Sequence, residues 1–245
     1  MVDIDPRDRI MVALDCRSDE ALRIASLLEG HARWMKVGIT LIYDEGPAIV
    51  MALKRRGFRV FVDAKFHDIP HQVRGAVKSA ALSGADLITI HGCGSEKMMR
   101  ACREGAEDAK AVIGYRPKLA AITVLTSMDQ HEIELVGVTR PIPDQAVALA
   151  KLAVESGIDG VVCSPQEAHV MRDVLGPDAL VVTPGVRPVG ASLGDQSRVS
   201  TPAQAIKEGA SHIVVGRPII QADDPVAAFE SIVTSLSAES APTAC

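Results

Sequence analysis

The chain has few aromatic residues and no long apolar run. Only 3% of its 245 residues are Phe, Trp or Tyr although 47% are hydrophobic, so the core should consist mainly of Val, Ile, Leu and Ala. No uninterrupted apolar run approaches the ~20 residues needed to cross a bilayer, and we expect no membrane partner. The net charge of −5 disfavours nucleic acid as a partner, because such binding depends on cations that neutralise phosphates.

Cysteine is also scarce and is not arranged as in a metal site. The five cysteines are odd in number and lack metal-ligand spacing, which predicts neither a disulfide framework nor a metal and is typical of a reducing cytosol. The first residues lack the basic segment followed by an apolar one that marks a signal peptide. We therefore expect a cytoplasmic protein.

Short apolar runs alternate with longer helical patterns along the chain. The runs predict eight strands, at residues 10–14, 34–37, 60–62, 87–90, 119–124, 160–163, 180–183 and 212–215. Helices are predicted at 18–28, 46–56, 72–83, 95–109, 144–156, 165–174, 202–208 and 225–236. Eight strand–helix units predict an α/β fold, a single (β/α)₈ TIM barrel over residues 1–236. A small polar tail, residues 237–245, is expected to be disordered.

Three similar phrases end predicted helices just before strands. They are Ser-Gly-Ala-Asp at 83–86, Ser-Gly-Ile-Asp at 156–159 and Glu-Gly-Ala-Ser at 208–211. Glycine in each phrase is expected to cap the helix, and the repetition favours a barrel of similar units. The main alternative is an open doubly wound sheet, but no Gly-x-Gly-x-x-Gly follows the first strand.

The stretch 60–70 leads from an apolar strand directly into charge. Asp63 and Lys65 are two residues apart, so they lie on the same side of a strand, and Asp68 follows. Burying charge is costly unless every member is paired, so the cluster is either a structural cage or a site. Because α/β proteins build sites at the carboxyl ends of strands, a site is favoured.

Other predicted strands also end in polar residues. They end in Asp15, Lys36, His91, Thr126 with Ser127, and Arg187 between prolines. Taken singly, each also fits a structural role. The aspartate could cap a helix, the lysine could reach the rim, the histidine could lie in the core, the two hydroxyls could stabilise a turn and the arginine could be a surface cation. We expect the structural role for His91, and expect Cys93 and Cys163 to be small buried residues. Two lysines and three aspartates at one barrel mouth nevertheless favour a catalytic array.

The eighth strand ends in a different pattern, Gly216-Arg217. Glycine lets a ligand approach the backbone closely, and arginine presents a fork of donors to phosphate oxygens. Barrel phosphate sites lie at the loops after strands seven and eight, and the seventh loop contains Gly185, Gly190 and Gly194. The pattern predicts a small phosphorylated substrate.

Together, these residues resemble the orotidine 5′-phosphate decarboxylases. The resemblance is carried by residues 12–15, 36–38, 63–70, 123–127, 183–188, 194–196 and 215–218. Its most specific element is Asp-x-Lys-x-x-Asp-Ile-Pro at 63–70, followed later by Gly-Asp-Gln and Gly-Arg-Pro. The resemblance implies a barrel of the ribulose-phosphate-binding type that converts orotidine 5′-phosphate to uridine 5′-phosphate (UMP). This is the last step of pyrimidine biosynthesis, and the family performs it without a cofactor, as a homodimer with shared sites.

The resemblance also implies roles for individual residues. Lys65 would protonate the ring carbon that loses carbon dioxide, and Asp63 would lie against the departing carboxylate. Lys36 and Asp68 would complete an alternating charge network, with Asp68 supplied by the other subunit. The residues expected to contact substrate are Asp15, Lys36, Asp68, Ile69, Gln72, Thr126, Ser127, Pro184, Arg187, Gln196, Gly216 and Arg217.

Within this set, the resemblance implies which residues contact the ribose, the base and the phosphate of the nucleotide. Asp15 and Lys36 would hold the ribose hydroxyls, and Thr126 with Ser127 would contact the base. The phosphate would be held by Gln196, Gly216 and Arg217, with Arg187 nearby. The sequence departs from the family after Asp-Ile-Pro, where Asn-Thr is usual and His71-Gln72 stand here; we expect Gln72 to replace the threonine contact between subunits.

Two other functions fit parts of the pattern. Magnesium-dependent sugar-phosphate decarboxylases or aldolases of the same superfamily look similar around Asp-x-Lys-x-x-Asp, but they carry a metal-binding Glu where this chain has Lys36. A non-catalytic barrel that binds nucleotide phosphate would be favoured if Lys65 or Asp63 were missing, and both are present.

Overall fold

Eight parallel strands form a closed barrel. The computed structural model describes residues 4–188 and 200–240, with side chains described to residue 237. The strands are β1 Ile10–Ala13, β2 Trp34–Gly38, β3 Arg59–Phe66, β4 Leu87–His91, β5 Lys118–Ile122, β6 Gly160–Val162, β7 Leu180–Thr183 and β8 His212–Val215. Each strand pairs with the next, and β8 pairs with β1. The predicted (β/α)₈ barrel is confirmed.

Helices connect the strands around the outside of the barrel. Within the described residues they are α1 Ser18–Leu27, α2 Ile39–Glu45, α3 Pro47–Arg55, α4 Pro70–Leu82, α5 Glu96–Ile113, α6 Gln130–Leu135, α7 Ile142–Glu155, α8 Ala168–Leu175, α9 Pro202–Lys207, α10 Arg217–Ile220 and α11 Pro225–Ser240. The sequence did not predict α2, α6 and α10, which are all short. Nowhere in the described part is a helix both long and apolar enough to span a bilayer.

The last helix extends beyond the predicted domain boundary. The sequence placed that boundary at residue 236, with a tail from 237, but α11 continues to Ser240. Serine, alanine and glutamate at 237–240 are compatible with a helix, and the first helix-breaking residue is the proline at 242. The helix therefore ends four residues beyond the predicted boundary, and residues 241–245 lie outside the described residues.

Side chains alternate between the barrel interior and the helical layer. In β1, Ile10 and Val12 belong to the larger core that includes the helices, whereas Met11 and Ala13 belong to a second, inner cluster. The inner cluster comprises Met11, Ala13, Trp34, Phe61, Leu87, Ala120, Ile122, Val162, Val182 and Val214. The inward positions of β2 and β3 then change from apolar to charged toward the carboxyl end, because Lys36 follows Trp34 and Asp63 follows Phe61 at a spacing of two.

The three repeated phrases share a structural role. Gly84, Gly157 and Gly209 all have positive φ angles, at +108°, +85° and +104°, as a glycine that ends a helix requires. The last residue of each phrase also accepts a hydrogen bond from a backbone N–H of the neighbouring strand. These bonds run from Val60 to Asp86 at 2.7 Å, from Leu119 to Asp159 at 2.9 Å and from Val181 to Ser211 at 3.0 Å.

Candidate active site

A cavity of about 430 Å³ opens at the carboxyl end of the barrel. Its size is in the range of small-molecule sites, ~300–1,000 Å³. It is lined by Ala13, Asp15, Lys36, Phe61, Asp63, Lys65, Ile122, Val124, Leu125, Thr126, Val162, Pro184, Gly185, Arg187, Val214, Gly216, Arg217 and Gln221. Apolar members of the inner cluster form its floor, and polar residues from the strand ends form its upper wall.

Four charged side chains on one wall form an alternating chain. Lys36 Nζ lies 2.8 Å from Asp15 Oδ1 and 3.5 Å from Asp63 Oδ2. Lys65 Nζ lies 2.9 Å from the other oxygen, Asp63 Oδ1. The sequence predicted that these residues would meet at the barrel mouth, and the structure brings them together within ion-pair distance.

Burial makes this chain of charges electrostatically strong. Lys36 is 6% exposed, whereas the side chain of Lys65 is 38% exposed. Burial alone would raise the pKa of Asp63, but the cations of Lys36 and Lys65, with hydrogen bonds from Lys65 and Thr89, outweigh burial and lower that pKa. Asp63 is therefore held as a carboxylate between two ammonium groups.

The backbone at Lys65 adopts a conformation that is unusual for a lysine. Its φ angle is +52°, and the pairing of β3 with β4 shifts register between Val62 and Phe66. Such left-handed conformations cost on the order of 1–3 kcal/mol and persist only where the surroundings hold them. The irregularity aims Lys65 at the cavity instead of continuing the regular strand.

Thr89 of β4 holds both members of the Asp63–Lys65 pair. Its hydroxyl accepts a hydrogen bond from the Lys65 backbone N–H at 2.9 Å and donates one to Asp63 Oδ1 at 2.9 Å. Thr89 is fully buried. The sequence prediction missed it, although a hydroxyl within the apolar strand Leu87–His91, two residues before His91, was a visible signal.

Gly38 at the end of β2 leaves the space in which the ion pair forms. A Cβ at this position would lie 2.7 Å from Asp15 Oδ1 and 3.2 Å from Lys36 Nζ. A larger residue would therefore push these two side chains apart. Sequence reasoning did not identify this steric requirement.

The residues expected to bind phosphate line the side of the cavity formed by the ends of β7 and β8. Pro184, Arg187, Gly216 and Arg217 are all in its wall. Arg187 is only 9% exposed, so the alternative of a surface cation is wrong; its backbone N–H donates to the Ser200 carbonyl oxygen at 2.9 Å. Gln196 and most of its loop lie outside the described residues.

The loop after β5 places only one of the two hydroxyls expected to contact the pyrimidine base in the cavity wall. Thr126 lines the cavity, whereas Ser127 is exposed and does not. The cause is a turn in which the Met128 N–H donates to the Leu125 carbonyl oxygen at 3.0 Å. Gln221, just after α10, lines the cavity and was missed by sequence reasoning.

Three predicted substrate-contacting residues lie outside the cavity of their own chain. Asp68, Ile69 and Gln72 are exposed and are absent from the cavity wall. Ile69 is 63% exposed, and Asp68 Oδ1 accepts a hydrogen bond from the Ile69 N–H at 2.6 Å. A single chain therefore does not bring these three residues to its own site.

Beside the cavity wall, His67, His91 and Cys93 form a cluster. Cys93 is exposed, so the prediction that it is a buried hydrophobic residue is wrong, because a 3₁₀ turn at Gly92–Gly94 follows β4 and carries it to the surface. His91 is half-buried, and burial, then the nearby His67 and Lys65, lower its pKa. Cys163 is buried, as expected.

Comparison with known proteins assigns a family to this arrangement. The sequence model of the "Orotidine 5′-phosphate decarboxylase / HUMPS family" matches residues 8–232. An orotidine 5′-phosphate decarboxylase from Synechococcus sp. (strain CC9605) is 46% identical over 228 residues, which cover 92% of this chain and 94% of that protein. The enzyme of the same name from Moorella thermoacetica is 43% identical over 239 residues, covering 96% of this chain and 95% of the relative.

A solved structure supports the same grouping. The crystal structure of orotidine 5′-phosphate decarboxylase from Lactobacillus acidophilus superimposes with a TM-score of 0.83 at 36% identity, covering 93% of this chain and 98% of that one.

Proposed function

The chain belongs to the orotidine 5′-phosphate decarboxylase / HUMPS family, and from this premise we propose that it converts orotidine 5′-phosphate to UMP and carbon dioxide, the last step of pyrimidine biosynthesis. The observation that carries the proposal is the position of Lys65 in the cavity wall, with its Nζ 2.9 Å from a buried carboxylate that Lys36 also contacts. No cofactor is needed for this reaction.

The chemistry requires a cation close to one carbon atom. When the bond between the pyrimidine ring and the substrate carboxylate breaks, carbon dioxide leaves and the electron pair stays on the ring carbon. Lys65 stabilises that developing charge and then donates its proton to the carbon, after which solvent reprotonates the lysine. A preorganised charge placed where charge develops is usually the largest single contribution to catalysis.

Asp63 and Lys36 have complementary roles in this proposal. The Asp63 carboxylate lies against the substrate carboxylate, and their repulsion is relieved as carbon dioxide leaves. Lys36, buried between Asp15 and Asp63, holds Asp63 ionised and in place. With Asp15 at its other side, Lys36 also faces the ribose hydroxyls.

The opposite side of the cavity provides the binding energy. Arg217, Gly216 and Arg187 hold the 5′-phosphate together with Gln196, and Pro184 packs beside them. A bidentate or charge-assisted contact to phosphate is among the stronger hydrogen bonds in proteins. Energy gained at the phosphate holds the reacting ring against Lys65, while Thr126, whose hydroxyl-bearing side chain lines the cavity, contacts the base.

The site is completed by a second copy of the chain. Exposed Asp68, Ile69 and Gln72 follow β3 immediately and do not reach the cavity of their own chain. We propose a cytoplasmic homodimer in which these three residues enter the neighbouring site, without nucleic acid or membrane partners.

A metal-dependent sugar-phosphate enzyme is the alternative within the superfamily. The structure supplies a physical argument against it, because the buried ammonium of Lys36 lies where a divalent cation would need an acidic ligand. Replacing a carboxylate ligand by a cation repels the metal.

The test is the loss of ultraviolet absorbance of orotidine 5′-phosphate on incubation with the purified protein in EDTA. We expect full turnover in EDTA and none with a sugar phosphate plus magnesium. Turnover of orotidine 5′-phosphate that disappears in EDTA and returns with magnesium would contradict the proposal. So would turnover of the sugar phosphate by a protein that does not turn over orotidine 5′-phosphate.

A further inference from the structure

His67, His91 and Cys93 form a cluster of metal-binding atoms outside the proposed decarboxylation site. Cys93 Sγ lies 2.9 Å from His91 Nδ1 and 4.0 Å from His67 Nε2, and one ligand atom from each residue lies within 4.8 Å of the others. The two imidazole rings are stacked, with centroids 5.2 Å apart and planes at 25°. None of the three residues lines the cavity.

The donor set and its spacing match one class of metal ion. Two imidazole nitrogens and one sulfur are the ligands that Zn²⁺ prefers, at distances of ~2.0–2.1 Å for nitrogen and ~2.3 Å for sulfur. Tetrahedral ligands at those distances are separated by ~3.3–3.6 Å, so the observed spacings of 2.9 and 4.0 Å bracket the required value. Small side-chain rotations would bring all three atoms around one ion.

The backbone around the cluster allows this close approach. Gly94 has no side chain; a Cβ there would collide first with the thioether of Met98 and would also lie 3.0 Å from Cδ2 of His67. The 3₁₀ turn Gly92–Gly94 directly follows β4, so His91 and Cys93 are held on a short, anchored segment. His67 comes from the other side, just after β3.

We propose that His67, His91 and Cys93 bind a Zn²⁺ ion, with solvent at the fourth position. Binding replaces the proton of the Cys93 thiol, which is released to solvent. The ion would tie the segment between β3 and α4 to the end of β4.

This proposal concerns binding and does not depend on the identity of the substrate. It also revises the expectation from sequence that the chain has no metal site. The cysteine spacing gave no signal, because two of the three ligands are histidines and the ligands come from two separate segments, the loop after β3 and the end of β4 with the turn that follows it.

The experiment titrates the full-length protein, freed of metal by EDTA and dialysis, with Zn²⁺ and separately with Co²⁺. We expect one ion per chain, a rise in melting temperature with Zn²⁺, and a Co²⁺ spectrum with tetrahedral bands and a thiolate-to-cobalt band. The variants His67→Ala, His91→Ala and Cys93→Ala each remove one proposed ligand. Each should lower the affinity for Zn²⁺ by more than ~10–100-fold, which is the loss when a residue that only hydrogen-bonds a metal ligand is mutated.

The matched controls are His169→Ala, an exposed histidine, and Cys16→Ala, a half-buried cysteine; both should bind Zn²⁺ as the wild type does. The thiolate band should vanish in Cys93→Ala and persist in Cys16→Ala. A wild type without that band, or a Cys93→Ala variant that keeps wild-type affinity, would overturn the proposal. Both readouts are made without substrate, so a failed decarboxylase assay leaves them intact.

Discussion

Single side chains control the charge distribution at the barrel mouth. Asp63 interacts with three groups at once: Lys36, Lys65 and the Thr89 hydroxyl. Thr89 differs from the other two because it is neutral and contacts Lys65 through the backbone, where φ is +52°. We infer that Thr89 positions the proton donor without touching substrate.

Replacing Thr89 by valine keeps the side-chain shape and removes both hydrogen bonds. A hydrogen bond to a charged group contributes ~1.5–3 kcal/mol, so we expect kcat to fall by ~10–150-fold while KM changes little. Steady-state kinetics with orotidine 5′-phosphate measure both constants. Thr89→Ser, which keeps the hydroxyl, should restore most of kcat; equal losses in the serine and valine variants would show that the hydroxyl has no positioning role.

The loops that precede β4, β6 and β8 share one capping arrangement. Each places a glycine with positive φ and, two residues later, a side-chain acceptor for the neighbouring strand. Asp159 is the most highly connected of these acceptors. Besides the Leu119 N–H, it accepts hydrogen bonds from Arg116 at 2.6 and 2.7 Å and from Lys118 at 3.2 Å.

We expect Asp159→Ala to destabilise the barrel at neutral pH. Its side chain is 10% exposed and that of Arg116 is 15% exposed, and breaking a buried pair by removing one partner costs ~3–5 kcal/mol. Urea unfolding at pH 7 measures the loss. Asp173→Ala is the matched control, because Asp173 is 66% exposed, and it should change the free energy of unfolding by less than about 0.5 kcal/mol.

The pH dependence of this effect has a definite sign. Burial alone would raise the pKa of Asp159, but Arg116, the Leu119 N–H and Lys118 outweigh burial and lower it. A lowered native pKa stabilises the fold above the ordinary aspartate pKa, and this contribution is lost as pH falls through the native value. The difference in free energy of unfolding between the wild type and Asp159→Ala should therefore become smaller in acid. A difference that grows in acid would contradict this assignment.

For the molecule as a whole, the central question is whether a single chain contains a complete site. The cavity holds Asp15, Lys36, Asp63 and Lys65, whereas Asp68 of the same chain points elsewhere and is exposed. If the segment after β3 of each copy reaches into the cavity of the other copy, each site combines residues from both chains. Such sharing makes the oligomer necessary for activity.

Subunit mixing tests this arrangement. Lys65→Ala and Asp68→Ala should each be inactive alone, but their heterodimer has one site with both residues intact, so mixing should restore some activity. Native mass spectrometry of differently tagged chains would establish that subunits exchange. Exchange without any recovery of activity would show that Asp68 does not act in the neighbouring site.

The sequence predicted the barrel well because buried parallel strands leave a clear apolar signal. All eight strands were located, and strand ends identified the charged residues that line the cavity. Features that depend on contacts between segments were missed: the Thr89 hydroxyl acts through its hydrogen bonds to β3, and Cys93, which was predicted to be buried, is exposed. The short helices α6 and α10 were missed because a segment of four to six residues carries too little periodicity.

The most direct test of the proposed chemistry is the turnover of orotidine 5′-phosphate by Lys65→Ala in EDTA, compared with the wild type and with Lys110→Ala, an exposed lysine on α5. We expect Lys65→Ala to lose more than the ~10²–10⁴-fold that proton transfer alone supplies, since its electrostatic role is lost as well. Its circular dichroism should be unchanged, and Lys110→Ala should be fully active. A folded Lys65→Ala protein that keeps a tenth of wild-type turnover would contradict the account.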